Sequence, residues 1–416
     1  MRLKIFLFSA FLILSFSIQN YSQTSSTYSR FGLGDLEYSF SPKRTAMGQL
    51  GYALSDENFI SDINPAGWVN LSRTRIEFSV DFNNMFLSNS VETKFYSDAA
   101  FKGFTFGFPV SDLYGISVAA GILPITRVSY NIEQRVVSSD PLIIDHTLKY
   151  EGSGGLSKLF IGSSYQTPLG ISLGASLDYI FGTLSYKSAI EFDIGQISTE
   201  YEKSYRPTGF GATFGIISPD LSGLTGNDFI TGIRLGASIS LENKLTADSI
   251  LTSLSSTDLD TIYSGSFDII HPVRYGGGIS VVFSDEYLVT VDYFAQPWSD
   301  FRIGNSHPAS LRDAYKISSG FEYKAEKELG QTFWEQIIWR FGLSFEQTQY
   351  KINGQGIDQY SVAGGFSLPL GNNNSVDVGI EYAVRGTTDS ELLKEQSVRL
   401  NLGVSFGELW FIRHEK

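Results

Sequence analysis

Hydrophobic and polar residues alternate along most of the chain. In the segment 398–406, apolar side chains occupy every second position, and polar or small side chains occupy the positions between them. The same pattern recurs in 339–346 and 376–385. Because successive side chains of a β-strand point to opposite faces, each segment predicts a strand with one apolar and one polar face. A water-soluble sandwich could use such strands, but charged residues opposite so many apolar faces favour a barrel with lipid outside and a polar lumen.

The alternation predicts an all-β fold, a transmembrane antiparallel β-barrel of about 14 strands. Short links rich in turn residues alternate with longer polar links, which is typical of barrels with short periplasmic turns and long outer loops. An even strand number returns both ends of the barrel to the periplasm. The longer links are predicted at 129–155, 188–204, 248–266 and 298–312. The strands are predicted at 75–87, 98–110, 114–128, 156–167, 171–187, 205–218, 230–247, 267–283, 287–297, 313–324, 336–351, 357–370, 375–386 and 395–412.

The strand predicted at 336–351 gives a testable register. Its apolar residues Trp339, Phe341, Leu343 and Phe345 are expected to contact lipid. Gly342 and Ser344 lie between them and are expected to face the lumen, where this pattern predicts that an arginine would be tolerated at either position.

Three regions divide the chain. Residues 1–22 have a basic start and an apolar run, the layout of a secretory signal peptide, and the run is too short to span a bilayer comfortably as a helix. Residues 23–74 are richer in glycine, serine and charge, and we predict that they form a hatch inside the lumen. Residues 75–416 are predicted to form the barrel, and the export signal with the strands predicts the bacterial outer membrane as its location.

Composition narrows the function classes. The chain contains no cysteine, which excludes a thioether lipid anchor, a disulfide scaffold and a thiolate metal site. A mean hydropathy of -0.03 suits a barrel, in which half of each strand is polar. The net charge of -13 argues against nucleic acid as a partner, because no basic patch is present to bind it. Outer-membrane lipid is the expected surrounding.

Sequence motifs give little support to an enzyme. The histidines are His146, His271, His307 and His414, and no two have a spacing suited to a shared metal. A barrel lipase would need a serine beside a histidine. Ser264 and Ser266 near His271 are the nearest candidates, and no recognisable motif surrounds them. We therefore predict a non-enzyme with no catalytic residues, metal or cofactor.

Pro124 lies inside the third predicted strand. Proline cannot donate a hydrogen bond to a neighbouring strand, and a closed barrel has no edge on which to place it. Pro124 therefore predicts a local break in the wall. The alternative is that the strand has already risen above the membrane at this point.

The N-terminal region resembles a known family. Residues 44–57 are rich in glycine and small residues and end in an acidic pair, and Asn64-Pro65-Ala66-Gly67 follows shortly before the first strand. This arrangement is similar to the hatch signature of FadL-type outer-membrane proteins. The stretches 28–35, 150–155 and 179–182 are similar to members of that family from Bacteroidetes.

The resemblance implies a barrel of fourteen strands with an N-terminal hatch. It also implies a lateral opening at a kink in the third strand, which would place that opening at Pro124. Asn64 and Pro65 have a plain structural reading as well, because proline drives the preceding residue out of the helical region and asparagine bonds nearby backbone groups. We expect a structural corner of the hatch there, with a direct ligand contact as the alternative.

Two functions remain open. The first is passage of hydrophobic small-molecule cargo past the hatch and sideways through the wall. The second is a plug or accessory barrel of a type nine protein-secretion translocon, bound to a large translocon barrel, as some FadL-like barrels of Bacteroidetes are. An apolar cavity beneath the outer loops would favour the first function, and loops shaped for a partner would favour the second.

Overall fold

A closed sheet dominates the computed structural model, which describes residues 26–137, 144–192, 199–241, 244–255, 259–325, 332–371 and 373–408. The predicted signal peptide, 1–22, lies outside these residues. Fourteen antiparallel strands form the wall of the described chain. They are β1 (Thr74–Ser88), β2 (Thr93–Ser111), β3 (Ile116–Pro124 and Thr126–Val136), β4 (His146–Gln166), β5 (Ser172–Phe192), β6 (Thr199–Ile217), β7 (Ile230–Leu241 and Lys244–Ser255), β8 (Leu259–Ile270 and Arg274–Phe283), β9 (Tyr287–Gln296), β10 (Ala314–Tyr323), β11 (Ile338–Ile352), β12 (Gln355–Pro369), β13 (Ser375–Arg385) and β14 (Lys394–Glu408).

Helical structure in the described residues is limited to stretches of three to six residues. The α-helix α1 spans Pro42–Thr45. Within the described ranges, no helix has the length and apolar character needed to cross a membrane. The short 3₁₀ turns are Thr27–Arg30, Pro65–Asn70, Asp112–Tyr114, Ser222–Leu224, Trp298–Asp300, Phe333–Gln336 and Asp389–Glu391.

The wall closes because the last strand pairs with the first. β14 and β1 are antiparallel in a register that runs from Lys394↔Ser88 to Glu408↔Thr74. We call the end of the barrel that holds Thr74 and Glu408 the base, and the opposite end the top. Closure removes the outer edges that an open sheet would expose to lipid. The predicted fold class is therefore confirmed.

Side chains of the wall alternate between the outer surface and the lumen. In β11, Phe341 and Leu343 are 56% and 60% exposed, whereas Arg340 is buried and donates hydrogen bonds to Glu322 and Ser367. The predicted register of β11 is confirmed. An apolar outer surface with charges turned inward is the arrangement of a transmembrane barrel of the bacterial outer-membrane type, as predicted.

Three of the predicted long links are largely strand, so those predictions are wrong. β3 and β4 extend into 129–155, β5 and β6 into 188–204, and β7 and β8 into 248–266. Above the lipid, both faces of a sheet can be polar, so the apolar alternation fades although the cross-strand hydrogen bonds continue. Strands β3 to β8 therefore rise beyond the other strands as a raised wall at the top.

Phe341→Arg tests the lipid-facing register. Arginine near the bilayer midplane should destabilise the barrel and lower its unfolding free energy by about 2–4 kcal/mol, measured by unfolding from lipid vesicles. Val91→Arg, in an exposed turn at the top, is the control and should change little. An environment-sensitive label on a cysteine at position 341 should report lipid, and a signal typical of water would contradict the register.

Candidate functional site in the lumen and the barrel wall

The N-terminal segment, residues 26–73, lies inside the barrel and follows the wall. Residues 39–54 are all buried. Pro42 packs against β13 and β14, Tyr52 against β7 and β8, and Pro65 against β5. The segment therefore runs around the inner circumference of the barrel, where it meets one strand after another.

Lumen-facing glycines make this close contact possible. A Cβ atom at Gly215 would lie 1.9 Å from Asn64 Oδ1, and a Cβ atom at Gly236 would lie 2.1 Å from the Tyr52 carbonyl oxygen. Both distances are far shorter than van der Waals contact, so a side chain would displace the segment. We call this set the glycine belt. Its other members, each of whose Cβ would lie within 3.0 Å of the segment, are Gly103, Gly174, Gly276, Gly320, Gly342, Gly365, Gly379 and Gly403.

One sequence expectation is wrong for this reason. The alternation correctly turns Gly342 toward the lumen, but it does not show what fills the lumen there. A Cβ atom at position 342 would lie 2.4 Å from the Gly48 backbone nitrogen. An arginine therefore has no room at this position.

Asn64-Pro65-Ala66-Gly67 is a buried corner of the segment. The Asn64 side-chain amide donates to the Tyr52 carbonyl oxygen at 2.7 Å, and its Oδ1 accepts the Ala66 N–H at 3.0 Å. Pro65 is the first residue of a 3₁₀ turn. A backbone N–H at that position has no partner within the turn, so its absence in proline costs no hydrogen bond. Asn64 and Ala66 are fully buried. This geometry fits a structural corner, and a ligand contact at the motif stays a prediction.

Several charged side chains in the lumen have partners of opposite charge. Lys316 on β10 is fully buried and lies 3.6 Å from Glu346 on β11. Arg385 on β13 lies 2.8 Å from Asp35 of the N-terminal segment and 3.7 Å from Glu395 on β14. Removing one partner of such a pair leaves a buried charge uncompensated, which is strongly destabilising. The segment and the wall therefore hold each other in place electrostatically as well as sterically.

The wall is interrupted between β2 and β3. Their ladder of paired residues ends at Phe104↔Ile122, although β2 continues upward to Thr93 and β3 to Val136. The β3–β4 ladder, in contrast, resumes above this level. We call the interrupted stretch the β2–β3 gap.

Pro124 lies where the β2–β3 gap begins. The next residue, Ile125, donates its N–H to the Leu156 carbonyl of β4 at 2.8 Å. Because successive N–H groups of a strand point to opposite neighbours, position 124 faces β2. Proline has no N–H to offer on that side, so it suits a point at which pairing stops.

The N-terminal segment occupies the edge of β3 that β2 leaves. The two-residue strand Asp35–Leu36 pairs with Arg127 and Thr126, and Glu37 donates its N–H to the Ile125 carbonyl at 3.1 Å. We call residues 35–37 the strap. The strap thus replaces β2 over a short stretch, from the inside of the barrel.

Two ion pairs tie β2 across the gap. The Glu37 carboxylate bonds the Lys102 ammonium of β2, and Arg127 of β3 bonds Asp98 of β2. One pair joins β2 to the strap and the other joins β2 to β3, so the two pairs hold the edges of the gap together where the ladder is absent.

Small cavities lie on both sides of Glu37. One of about 60 Å³ lies in the lumen and another of about 160 Å³ lies in the gap, between β2, β3 and β4. Glu37 and Pro124 line both cavities. Phe101 borders the gap cavity and is 46% exposed on the outer surface. Glu37 and Pro124 therefore lie at the boundary between the lumen and a cavity that borders the lipid-facing surface.

An apolar cluster fills the lumen toward the top. It joins Tyr28 and Leu33 of the segment to Trp298, Phe301 and Tyr350, all buried. The Tyr28 and Tyr350 rings stack with their centroids 6.0 Å apart. The apolar space beneath the top is thus filled by side chains of the protein itself.

The serines and the histidine that a barrel lipase would need lie on the first part of β8 and in the link that follows it. His271 is buried, with its Nε2 3.4 Å from Gln296 and its ring edge-on to Trp298. Ser264 and Ser266 lie higher on β8, where they pair with β7. Among the residues that the structure describes, no group of three or more His, Asp or Glu side chains could hold a metal ion.

Comparison with known proteins assigns the family. A family model described as BamG matches residues 1–415. The chain belongs to the BamG family. A search of curated proteins gives no match.

Solved structures share the fold of this BamG-family chain. A FadL homologue from Pseudomonas aeruginosa is 12% identical with a TM-score of 0.60, and the alignment covers 90% of this chain and 99% of that one. The toluene transporter TbuX of Ralstonia pickettii is 17% identical with a TM-score of 0.57, covering 89% and 98%. The toluene transporter TodX of Pseudomonas putida is 17% identical with a TM-score of 0.56, covering 90% and 98%. The fold is therefore that of the FadL-type barrels.

Sequence reasoning missed the glycine belt, the strap and the ion pairs of this BamG-family protein. One signal was available for the belt, because Gly342, Gly379 and Gly403 all occupy polar-face positions of strongly alternating strands. Glu37 and Lys102 are 65 residues apart in sequence, and only the three-dimensional path of the segment brings them together.

Gly342→Ala tests the glycine belt. The added methyl group would overlap the backbone of the segment, and we expect a loss of about 1–3 kcal/mol in unfolding free energy from overpacking. Gly364→Ala on the adjacent strand is the control, because its Cβ would have its nearest neighbour at 3.6 Å. Limited proteolysis should cleave the N-terminal segment faster in the first variant only. Equal stability and cleavage in both variants would contradict the close packing.

Proposed function

We propose that this BamG-family protein is a non-catalytic outer-membrane channel that passes hydrophobic small molecules sideways through the β2–β3 gap. The observation that carries the proposal is the end of the β2–β3 ladder at Phe104↔Ile122, beside Pro124. A break in a membrane sheet exposes backbone groups that lipid cannot satisfy. Such a break would serve a route by which apolar cargo leaves the lumen for the bilayer. Two barrels of the same fold are described as toluene transporters.

In this proposal, residues 23–74 are the hatch and Pro124 marks the lateral opening. The described part of the hatch fills the inner circumference and its strap covers the gap, so the structure corresponds to a closed channel. Cargo would pass only when the strap moves away from β3. The strap is attached over a short stretch, whereas β1 and β2 pair along fourteen positions.

A second function, accessory barrel of a protein-secretion translocon, is favoured by how the lumen is filled. The lumen cavities beside the strap measure about 60 and 40 Å³, whereas ligand pockets usually measure about 300–1,000 Å³. A larger cavity of about 380 Å³ lies at the base, away from the gap, and polar and charged residues such as Lys43, Asp56 and Arg75 line it. A type nine translocon barrel as partner, and membership of the Bacteroidetes branch, rest on the sequence resemblance.

A reversible cross-link tests the route. Leu36 and Thr126 are cross-strand partners, a geometry within reach of a disulfide, and the chain has no other cysteine. Oxidised Leu36→Cys/Thr126→Cys should lose uptake of a labelled apolar compound, pyrene, by intact cells, and reduction should restore it. Ser344→Cys/Ser361→Cys, which joins paired residues of β11 and β12, is the control and should transport in both states.

The same variants separate the two functions. If oxidation of the strap pair leaves pyrene uptake unchanged, the gap is not the route. If cells with and without the protein take up pyrene equally, transport is wrong, and co-purification with a large partner barrel becomes the expected result. That association should not depend on the oxidation state of the strap.

A further inference from the structure

We infer that Glu37 is the gating residue of the barrel, an internal stopper held in the β2–β3 gap by Lys102. The inference rests on the proposed function for what passes, but the stopper itself is argued from the geometry of the gap. The barrel is closed while the ion pair between Glu37 and Lys102 is intact, and it opens when the pair is broken.

An irregularity in the barrel wall determines where the Lys102 side chain points. A β-bulge shifts the β1–β2 register between Ser79↔Gly103 and Val80↔Phe101, so Lys102 has no partner in that ladder. A bulge re-aims a side chain. Phe101 is exposed on the outer surface, and Lys102 is only 3% exposed. The bulge therefore sends an ammonium group into the gap at the level where the β2–β3 ladder has stopped.

The neighbouring cations form their salt bridges with wall carboxylates, whereas Lys102 forms its described salt bridge with the strap and interacts with the wall residue Asp81 only from a longer distance. Arg127 bonds Asp98, and Arg399 lies 3.5 Å from Asp81. The carboxylate described on Lys102 is Glu37, which belongs to the N-terminal segment. When Glu37 leaves, a buried cation loses its described partner, which is costly. The pair therefore favours the closed state and makes closure depend on the position of the strap.

The ion pair matters for gating because it holds Glu37 between two cavities. Glu37 lines both the lumen cavity and the gap cavity, and Lys102 lines the gap cavity. Movement of the strap away from β3 would remove a side chain that lies between the two spaces. Leu123, a buried residue of β3, lines the lumen cavity and can report whether that separation is lost.

Thiol labelling from the bilayer tests the stopper. The parent protein is the full chain with Leu123→Cys in liposomes, and the probe is pyrene maleimide dissolved in the lipid. Glu37→Gln should raise the labelling rate about tenfold, since close charge pairs couple by at least this factor. Glu322→Gln is the matched control, because it removes a carboxylate bonded to Arg340 near the base, and it should label like the parent.

A charge exchange makes the test specific. Lys102→Glu places two carboxylates together and should label fast, and adding Glu37→Lys should bring the rate back toward that of the parent. Labelling of Glu37→Gln at the parent rate, or a rise of the same size in Glu322→Gln, would overturn the inference. Failure of the double variant to slow labelling would overturn it too.

Pyrene uptake measured on the same variants separates this inference from the proposed function. Faster labelling with unchanged uptake would leave the stopper standing and contradict transport through the gap. Faster uptake with unchanged labelling would contradict the stopper and leave transport standing.

Discussion

Close approach of the N-terminal backbone to the barrel wall is the constraint on which the rest of this structure depends. At Gly215 and Gly236 the segment lies where the first atom of any side chain would be. The belt repeats this contact on strand after strand, so the segment has one path around the lumen. That path brings Glu37 to the β2–β3 gap and Asn64 to its buried corner.

The ion pairs of the lumen also depend on the path of the N-terminal segment. A barrel in lipid turns its polar side chains inward, and here many of those side chains carry charge. Arg385 and Lys102 face acids that come from the segment, and neither would be compensated in the same way if the segment left. The N-terminal segment is therefore part of the folded barrel's charge balance, and displacing any part of it has an electrostatic cost.

The fold could be predicted from the sequence because strand alternation is a local property. Each of the fourteen strands alternates between apolar and polar positions over part of its length, apart from local bulges such as that at Lys102. The raised upper parts of β3 to β8 were missed, because above the lipid nothing forces one face to be apolar. The register at Phe341 was predicted correctly, whereas the crowding at Gly342 was not, because crowding depends on a segment about three hundred residues earlier in the chain.

The gap shows the same division between local and long-range information. Pro124 alone predicts a break in a ladder, since the missing N–H is local chemistry. That β2 is the neighbour lost, and that the strap covers β3 in its place, follows only from the complete register. Hydrogen exchange of the full chain in lipid tests this account most directly. We predict that the backbone amides of Glu37 and Tyr52, bonded to Ile125 and Asp292, exchange as slowly as those of the wall strands. Rapid exchange of these amides beside a protected wall would show that the segment is not held inside the barrel.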